Sequence, residues 1–293
     1  MILPHMKKLL FLFIVSLLTQ AEGFSQSITK KIKLDSQNIN VEITDDGKGD
    51  ITLLFVHGWC INKSYWSDQV DYYKNKYRVI TVDLVGFGNS DKNRYTWSME
   101  EYGKDISGLM TQLDLKNVIL IGHSMAGDII LEAANNVPER VLGFVGIDNF
   151  TNVGKNESKQ LGMNKYFRSM KKNYPKVGEE YVQTLFYNNT DSRNRARVLE
   201  DFAKVEPIIA ISCLEHSADY SGKTATNLKK LGKKVYLINC DKNSFNPKGF
   251  ENNGIAFEMK LITGTGHYPM IEKPKEFNQL LDKTIDKIKI GGK

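Results

Sequence analysis

In the stretch VILIGHSMAGDIILEAA, Val118 to Ala134, Ser124 stands in a Gly-x-Ser-x-Ala turn between an apolar, strand-like run and a segment of helical spacing. A serine there can do one of two things. It can cap the helix, its hydroxyl accepting a bond from an unpaired N–H of the first turn. Or it can be a nucleophile, exposed where a strand turns sharply into a helix and the helix N-terminus favours developing negative charge. Gly122 and Ala126 supply the small flanking positions that so tight a turn requires. Read by itself, the cap is the simpler account.

A serine becomes a nucleophile at neutral pH only with a base in reach. Of the five histidines, His5 lies at the extreme N-terminus and His216 in a polar, helical region, while His57 and His123 belong to tight turns where a loop-holding role is expected. His267, in GTGHYPM, follows the last strand-like run and can lean over the edge of a sheet toward Ser124. Two carboxylates could orient such a histidine. Asp148 ends the run RVLGFVGID, and Asp241 ends KKVYLINCD.

These residues need a frame. ITLLFVHGW, YRVITVDLVGFGNSD, NVILIG and RVLGFVGID are apolar, β-branched runs suited to strands buried on both faces. Between them, SMEEYGKDISGLMTQLD opens with a capping box, Ser98 three residues before Glu101, and SMAGDIILEAANN has helical period. That alternation predicts a parallel sheet covered by helices, with function gathered at the carboxyl ends of the strands. Ahead of it, ITKKIKLDSQNINVEITDDGKGD alternates apolar and polar residues with a turn at Asp35–Asn38, and predicts a hairpin closed by the Asp-Gly turn after Thr44. From residue 150 to residue 227 no buried strand appears. MNKYFRSMKKNY, GEEYVQTLFYN and RARVLEDFAK predict a helical insertion, after which KKVYLINCD, AFEMKLITGTGHYPM and PKEFNQLLDKTIDKIK resume the strand and helix pattern.

VHGW, DLVGFGNS, GHSMAG and GTGHYPMIEKPKEFNQLL, in this order, resemble the α/β-hydrolase fold family. The resemblance covers nearly all of the chain after its leader. It implies a mostly parallel central sheet with helices on both faces, a core of residues 27–149 and 228–293, and a helical cap, residues 150–227, inserted after the sixth strand. It further implies Ser124 as nucleophile, His267 as general base, and an oxyanion hole from the N–H groups of Met125 and Trp59. The acid departs from the family's common pattern. Aligning VYLINCDKNSFNP to the usual Gly-x-x-Asp puts Cys240 at the glycine and Asn243 at the aspartate, with Asp241 two residues early. Asp148 resembles the alternative acid position of haloalkane dehalogenases and is the favoured acid, with Asp241 as the alternative. Dehalogenases and epoxide hydrolases of this fold carry aspartate as nucleophile, so the serine implies acyl transfer to water.

Composition is compatible with that reading. At 293 residues, 41% hydrophobic, the chain can bury a core. Its net charge of +6 is spread over scattered lysines, so no nucleic-acid partner is expected. No cluster has metal-ligand spacing, GFGNS lacks the third glycine of a dinucleotide fingerprint, and no metal or cofactor is expected. MKKLLFLFIVSLLTQAEGFSQ has the lysines, short apolar run (Leu9 to Leu18) and small-residue region of a secretory signal peptide, assigned to residues 1–26. Export to a secreted or periplasmic location follows, with no membrane span in the mature chain. Three cysteines, Cys60, Cys213 and Cys240, cannot all pair, and buried thiols are expected.

The expected activity is hydrolysis of a small carboxylic ester or lactone. The alternatives are a peptidase, a carbon–carbon bond hydrolase, a cofactor-free perhydrolase, or a slow-turnover ligand-sensing protein on the same frame. Tyr166, Phe167, Met170, Tyr181, Phe186 and Tyr187 either line a pocket or form the insertion's own core.

Overall fold

The computed structural model describes residues 28–34, 38–155 and 163–291. The expected signal peptide at 1–26 lies outside the described residues. Eight strands form one sheet: β1 (Thr29–Leu34), β2 (Ile39–Asp46), β3 (Thr52–Val56), β4 (Arg78–Val82), β5 (Val118–His123), β6 (Val141–Ile147), β7 (Val235–Cys240) and β8 (Phe257–Ile262). Their order is β1-β2-β4-β3-β5-β6-β7-β8. β1 pairs antiparallel with β2 and β2 antiparallel with β4, and every other neighbouring pair is parallel. β3 and β5 are buried at every position, as strands covered on both faces must be.

The Asp-Gly turn after Thr44 does not close the hairpin that the sequence predicts. β1 and β2 already pair from Thr29↔Thr44 to Leu34↔Ile39, so they are joined ahead of Ile39 and not at the Asp-Gly turn, and the turn expected at Asp35–Asn38 lies largely outside the described residues. Asp46 ends β2, which turns its other edge to β4, and Gly47 (φ +69°) starts the crossing to β3. A Cβ on Gly47 would lie 2.3 Å from two backbone carbonyls, so close packing rather than hairpin geometry requires the glycine.

The helices of the frame are α1 (Ser67–Tyr73), α2 (Met99–Gln112) and α3 (Ala126–Asn136). Ser98 caps α2, its hydroxyl accepting from the Glu101 N–H at 3.3 Å. Among the described residues, five helices then separate β6 from β7: α4 (Met163–Lys172), α5 (Tyr174–Thr184), α6 (Ser192–Ala203), α7 (Pro207–Tyr220) and α8 (Thr224–Leu231). α9 (Lys248–Glu251) joins β7 to β8, and α10 (Pro269–Glu272) and α11 (Pro274–Gly291) close the chain. α3 packs against both α2 and α8, while α11 packs on β6, β7 and β8 and against α1. The expected division at 227/228 therefore falls inside α8, a helix that packs on α3 rather than with the insertion alone.

All three cysteines are free and buried. Among the described residues, no helix is long and apolar enough to cross a membrane, and no group of three metal-ligating side chains comes together.

Candidate active site

Ser124 follows the last residue of β5 with φ +53°, a left-handed conformation that a residue with a Cβ adopts only under constraint. The constraint is visible. The Ser124 N–H donates to the Ile147 carbonyl at 2.9 Å, and its own carbonyl accepts the Gly127 N–H at 2.9 Å. A Cβ on Gly122 would lie 2.5 Å from the Ala126 carbonyl oxygen, so β5 and α3 approach this closely only through glycine. Gly58 is equally confined. A Cβ there would sit 2.6 Å from His123 Nδ1 and 3.1 Å from Ser124 Cβ. Cys60, Asp148 and Phe150 also have positive φ, so strained backbone gathers at three of the strand ends around Ser124.

His267 Nδ1 donates to Asp148 Oδ2 at 2.5 Å, across 119 positions of sequence. Asp148 is 4% exposed, and its Oδ1 accepts the Cys240 N–H at 3.1 Å. Burial pushes this carboxyl upward, but the hydrogen bond and charge of His267 together with the Cys240 bonds outweigh it and hold the group below the usual carboxylate range. Cys240 feels the converse. Burial, then the Asp148 charge, push its thiol up to about 12, which keeps it neutral. Asp241 does not meet His267. It is exposed, and its Oδ1 accepts the Gly264 N–H at 3.0 Å. Asn243, where the family's common pattern has aspartate, points its amide at Asp148 Oδ2 from 3.4 Å.

The turn histidines hold loops. His57 donates through Nδ1 to the Gly58 carbonyl (2.8 Å) and accepts the Leu84 N–H at Nε2 (2.9 Å), which consumes both nitrogens in one neutral tautomer. Burial lowers its pKa. His123 donates through Nε2 to the His267 carbonyl at 2.7 Å, and its Nδ1 has no partner among the described residues. Burial, then the proximity of His267, lower its pKa to about 3.

Ser124, His267, Asp148, Trp59 and Met125 all line one cavity of about 670 Å³. Its apolar lining includes Trp59, Met163, Tyr166, Phe167, Tyr181 and Leu185. The Trp59 indole is fixed by donating to the Ala210 carbonyl of α7 at 2.8 Å. Its polar lining includes Asp128, Ser217, Ser221, Thr224 and Lys242, with the Thr224 hydroxyl donating to Asp128 Oδ1 at 2.9 Å. The six side chains expected from the sequence thus divide. Tyr166, Phe167 and Tyr181 line the cavity, Met170 and Phe186 are buried away from its lining, with Phe186 against Tyr268, and Tyr187 is half-buried outside it.

Sequence reasoning missed the braces. Asn149 donates to the Gly122 and Ser124 carbonyls at 2.9 and 3.3 Å, and exchanges hydrogen bonds with Asn239 (3.3 and 3.0 Å). Glu272 accepts from Gly266 and Tyr268 on either side of His267. The signal for Asn149 was its place directly after Asp148 at a strand end. Glu272 carries no local signal beyond sitting five residues after a candidate base.

Comparison with known proteins gives this geometry a setting. The family described as alpha/beta hydrolase fold matches residues 51–197. A Bacillus subtilis hydrolase, YugF, is 32% identical over 111 residues, 38% of this chain and 40% of that protein, so the match spans two fifths of its length. A thermophilic esterase structure from Thermogutta terrifontis superimposes with a TM-score of 0.75 at 22% identity, covering 89% of this chain and 99% of that one. A bromoperoxidase from Bacillus anthracis gives 0.77 at 21% identity, covering 88% and 100%. At these identities the two structures carry the fold alone.

Proposed function

Because the chain belongs to the alpha/beta hydrolase fold family, we propose that it is a serine hydrolase cleaving a small carboxylic ester or lactone through an acyl-enzyme. The observation that carries this reading is the Asp148–His267 hydrogen bond at the wall of the cavity that Ser124 also lines. With Nδ1 committed to Asp148, Nε2 is the ring nitrogen available to take a proton. Ser124 Oγ attacks the carbonyl carbon as its proton passes to Nε2, and the Asp148 carboxylate stabilises the imidazolium that forms. The N–H groups of Trp59 and Met125 are the proposed oxyanion donors, each worth about 3–4 kcal/mol in such transition states. The imidazolium then protonates the leaving alkoxide. Water, deprotonated by His267, attacks the ester carbonyl and releases acid and free Ser124.

The apolar lining of the cavity supports a substrate with a modest hydrocarbon portion, and residues 150–227 act in this reading as a cap over it. Export through residues 1–26 belongs to the same proposal and is tested by the N-terminal sequence of the exported chain. The test of the chemistry is labelling by a fluorophosphonate together with turnover of p-nitrophenyl esters of graded length. Ser124→Ala is expected to lose both. Turnover that survives that substitution overturns the reading.

A further inference from the structure

Three consecutive backbone N–H groups carry the loop on which His267 stands, and each is held. The Gly266 N–H donates to Glu272 Oε2 at 3.0 Å, and the Tyr268 N–H to Glu272 Oε1 at 3.2 Å. Between them, the His267 N–H donates to the carbonyl of Leu185, in the helical insertion, at 2.9 Å. The insertion also reaches Glu272 directly, since the Thr190 hydroxyl donates to Oε2 at 2.7 Å while accepting the Tyr187 N–H at 3.0 Å. Arg195 secures that turn by donating to the Thr190 carbonyl at 3.2 Å and to the Tyr187 carbonyl. There is no slack at the junction. A Cβ on Gly266 would lie 2.6 Å from the Leu185 carbonyl oxygen and 2.7 Å from the Tyr187 nitrogen.

We propose that Glu272 is a positioning residue for His267, and that Thr190 makes the insertion part of the same support. One carboxylate spans the N–H groups of Gly266 and Tyr268, so it fixes the 265–266 and 267–268 peptides, while the Leu185 carbonyl holds the 266–267 peptide between them. Only a two-oxygen acceptor can do this. A glutamine in its place presents one oxygen and turns its NH₂ toward the other N–H. The Leu185 and Thr190 contacts set the loop against the insertion, so the aim of Nε2 depends on residues more than 75 positions earlier in the chain.

The inference rests on His267 being the general base. The test compares Glu272→Ala, Glu272→Gln and Thr190→Val with the parent protein. It reads kcat and KM on a p-nitrophenyl ester per fluorophosphonate-titrated site, the pH profile of kcat/KM, and the downfield proton resonance of the Asp148–His267 hydrogen bond. Glu272→Ala is expected to lower kcat about 10–100-fold, as small displacements of a reacting group do, with KM within about threefold. The acid limb should move to lower pH and the downfield resonance should shift or vanish. Glu272→Gln should fall between parent and alanine, and Thr190→Val should move the same readouts less. Should the alanine variant not fold, the other two carry the test. A lower melting temperature with kcat per titrated site, pH profile and resonance all unchanged overturns the proposal. A parent protein that neither turns over esters nor labels at Ser124 sinks the hydrolase reading instead. In that case the resonance alone still reports whether Glu272 fixes the Asp148–His267 pair.

Discussion

Asp148 binds two strands' ends at once: one oxygen accepts the His267 Nδ1–H at 2.5 Å, the other the Cys240 N–H at 3.1 Å. Asp148 follows β6 and Cys240 ends β7, so the carboxylate lies across the seam of a parallel pair. Its own backbone there is left-handed, with φ +46°. Asp241, one residue beyond Cys240, spends an oxygen on Gly264 instead.

The two aspartates should therefore respond differently to loss of charge. Asp148→Asn leaves the shape but cannot hold the imidazole in its proper tautomer, and kcat should fall by about 10³–10⁴ with little change in KM. Asp241→Asn keeps an oxygen for Gly264, so activity should stay within about twofold. Ester kinetics on both variants check this, and the reverse ranking would remove Asp148 from the proposed mechanism.

Asn149 gives a prediction about stability. Its amide braces the carbonyls of Gly122 and Ser124, and its backbone is locked to Asn239. Truncation to alanine leaves buried carbonyls without that donor, which costs about 1–3 kcal/mol. Urea unfolding of Asn149→Ala should show a loss in this range. A stability equal to the parent would mean that the strained turn holds itself.

Much of this arrangement was legible in the sequence because it is made by local rules. β3, β4, β5 and β6 are continuous apolar runs, and α2 announces itself by Ser98 and Glu101. α7 was not legible. Its residues Ile209, Ala210, Ile211, Cys213, Ala218 and Tyr220 are buried around more than one face, so no single stripe marks it as a helix. The Asp46-Gly47 pair misled because its turn chemistry is common to hairpins and to strand crossings, and only the pairing of β2 with β4 decides between them. The choice between Asp148 and Asp241 depended on which strand end faces His267, a relation over 119 residues that no local pattern encodes. The Glu272 clamp is of the same kind, since its donors come from both sides of His267 and from the insertion.

Gly58 is predicted to be intolerant of even one methyl group. The added carbon would sit 2.6 Å from His123 Nδ1, 3.0 Å from the His123 carbonyl oxygen and 3.1 Å from Ser124 Cβ. Two of these three lie on the turn that carries Ser124 and cannot swing away. Gly58→Ala should lower kcat/KM on an ester about 10–100-fold by displacing the turn, and should lower stability by about 1–3 kcal/mol through overpacking. Kinetics and urea unfolding of this one variant check both, and parent-like values would show that the turn yields freely.

The buried histidines set a pH dependence of stability whose sign can be worked out. In the unfolded chain a histidine takes up a proton near pH 6.5, whereas folded His123, neutral by burial and by its closeness to His267, does so only at about 3. Between those values the unfolded state binds more protons, so stability is fully present above about pH 6.5 and falls as the pH drops toward 3. For His123 the loss from pH 7 to pH 5 is roughly 2 kcal/mol. His57, also lowered by burial, adds to it in the same direction. Asp148, held below the usual carboxylate range, contributes stability that is lost only below about pH 4, so it leaves this window untouched. Urea unfolding at pH 7, 6 and 5 should show the decline, and His123→Gln, with no proton to take up, should remove the His123 share and leave the part due to His57. A parent protein equally stable at pH 7 and pH 5 would show that these histidines are protonated in the folded state, against the hydrogen bonds that His57 accepts from Leu84 and donates to Gly58.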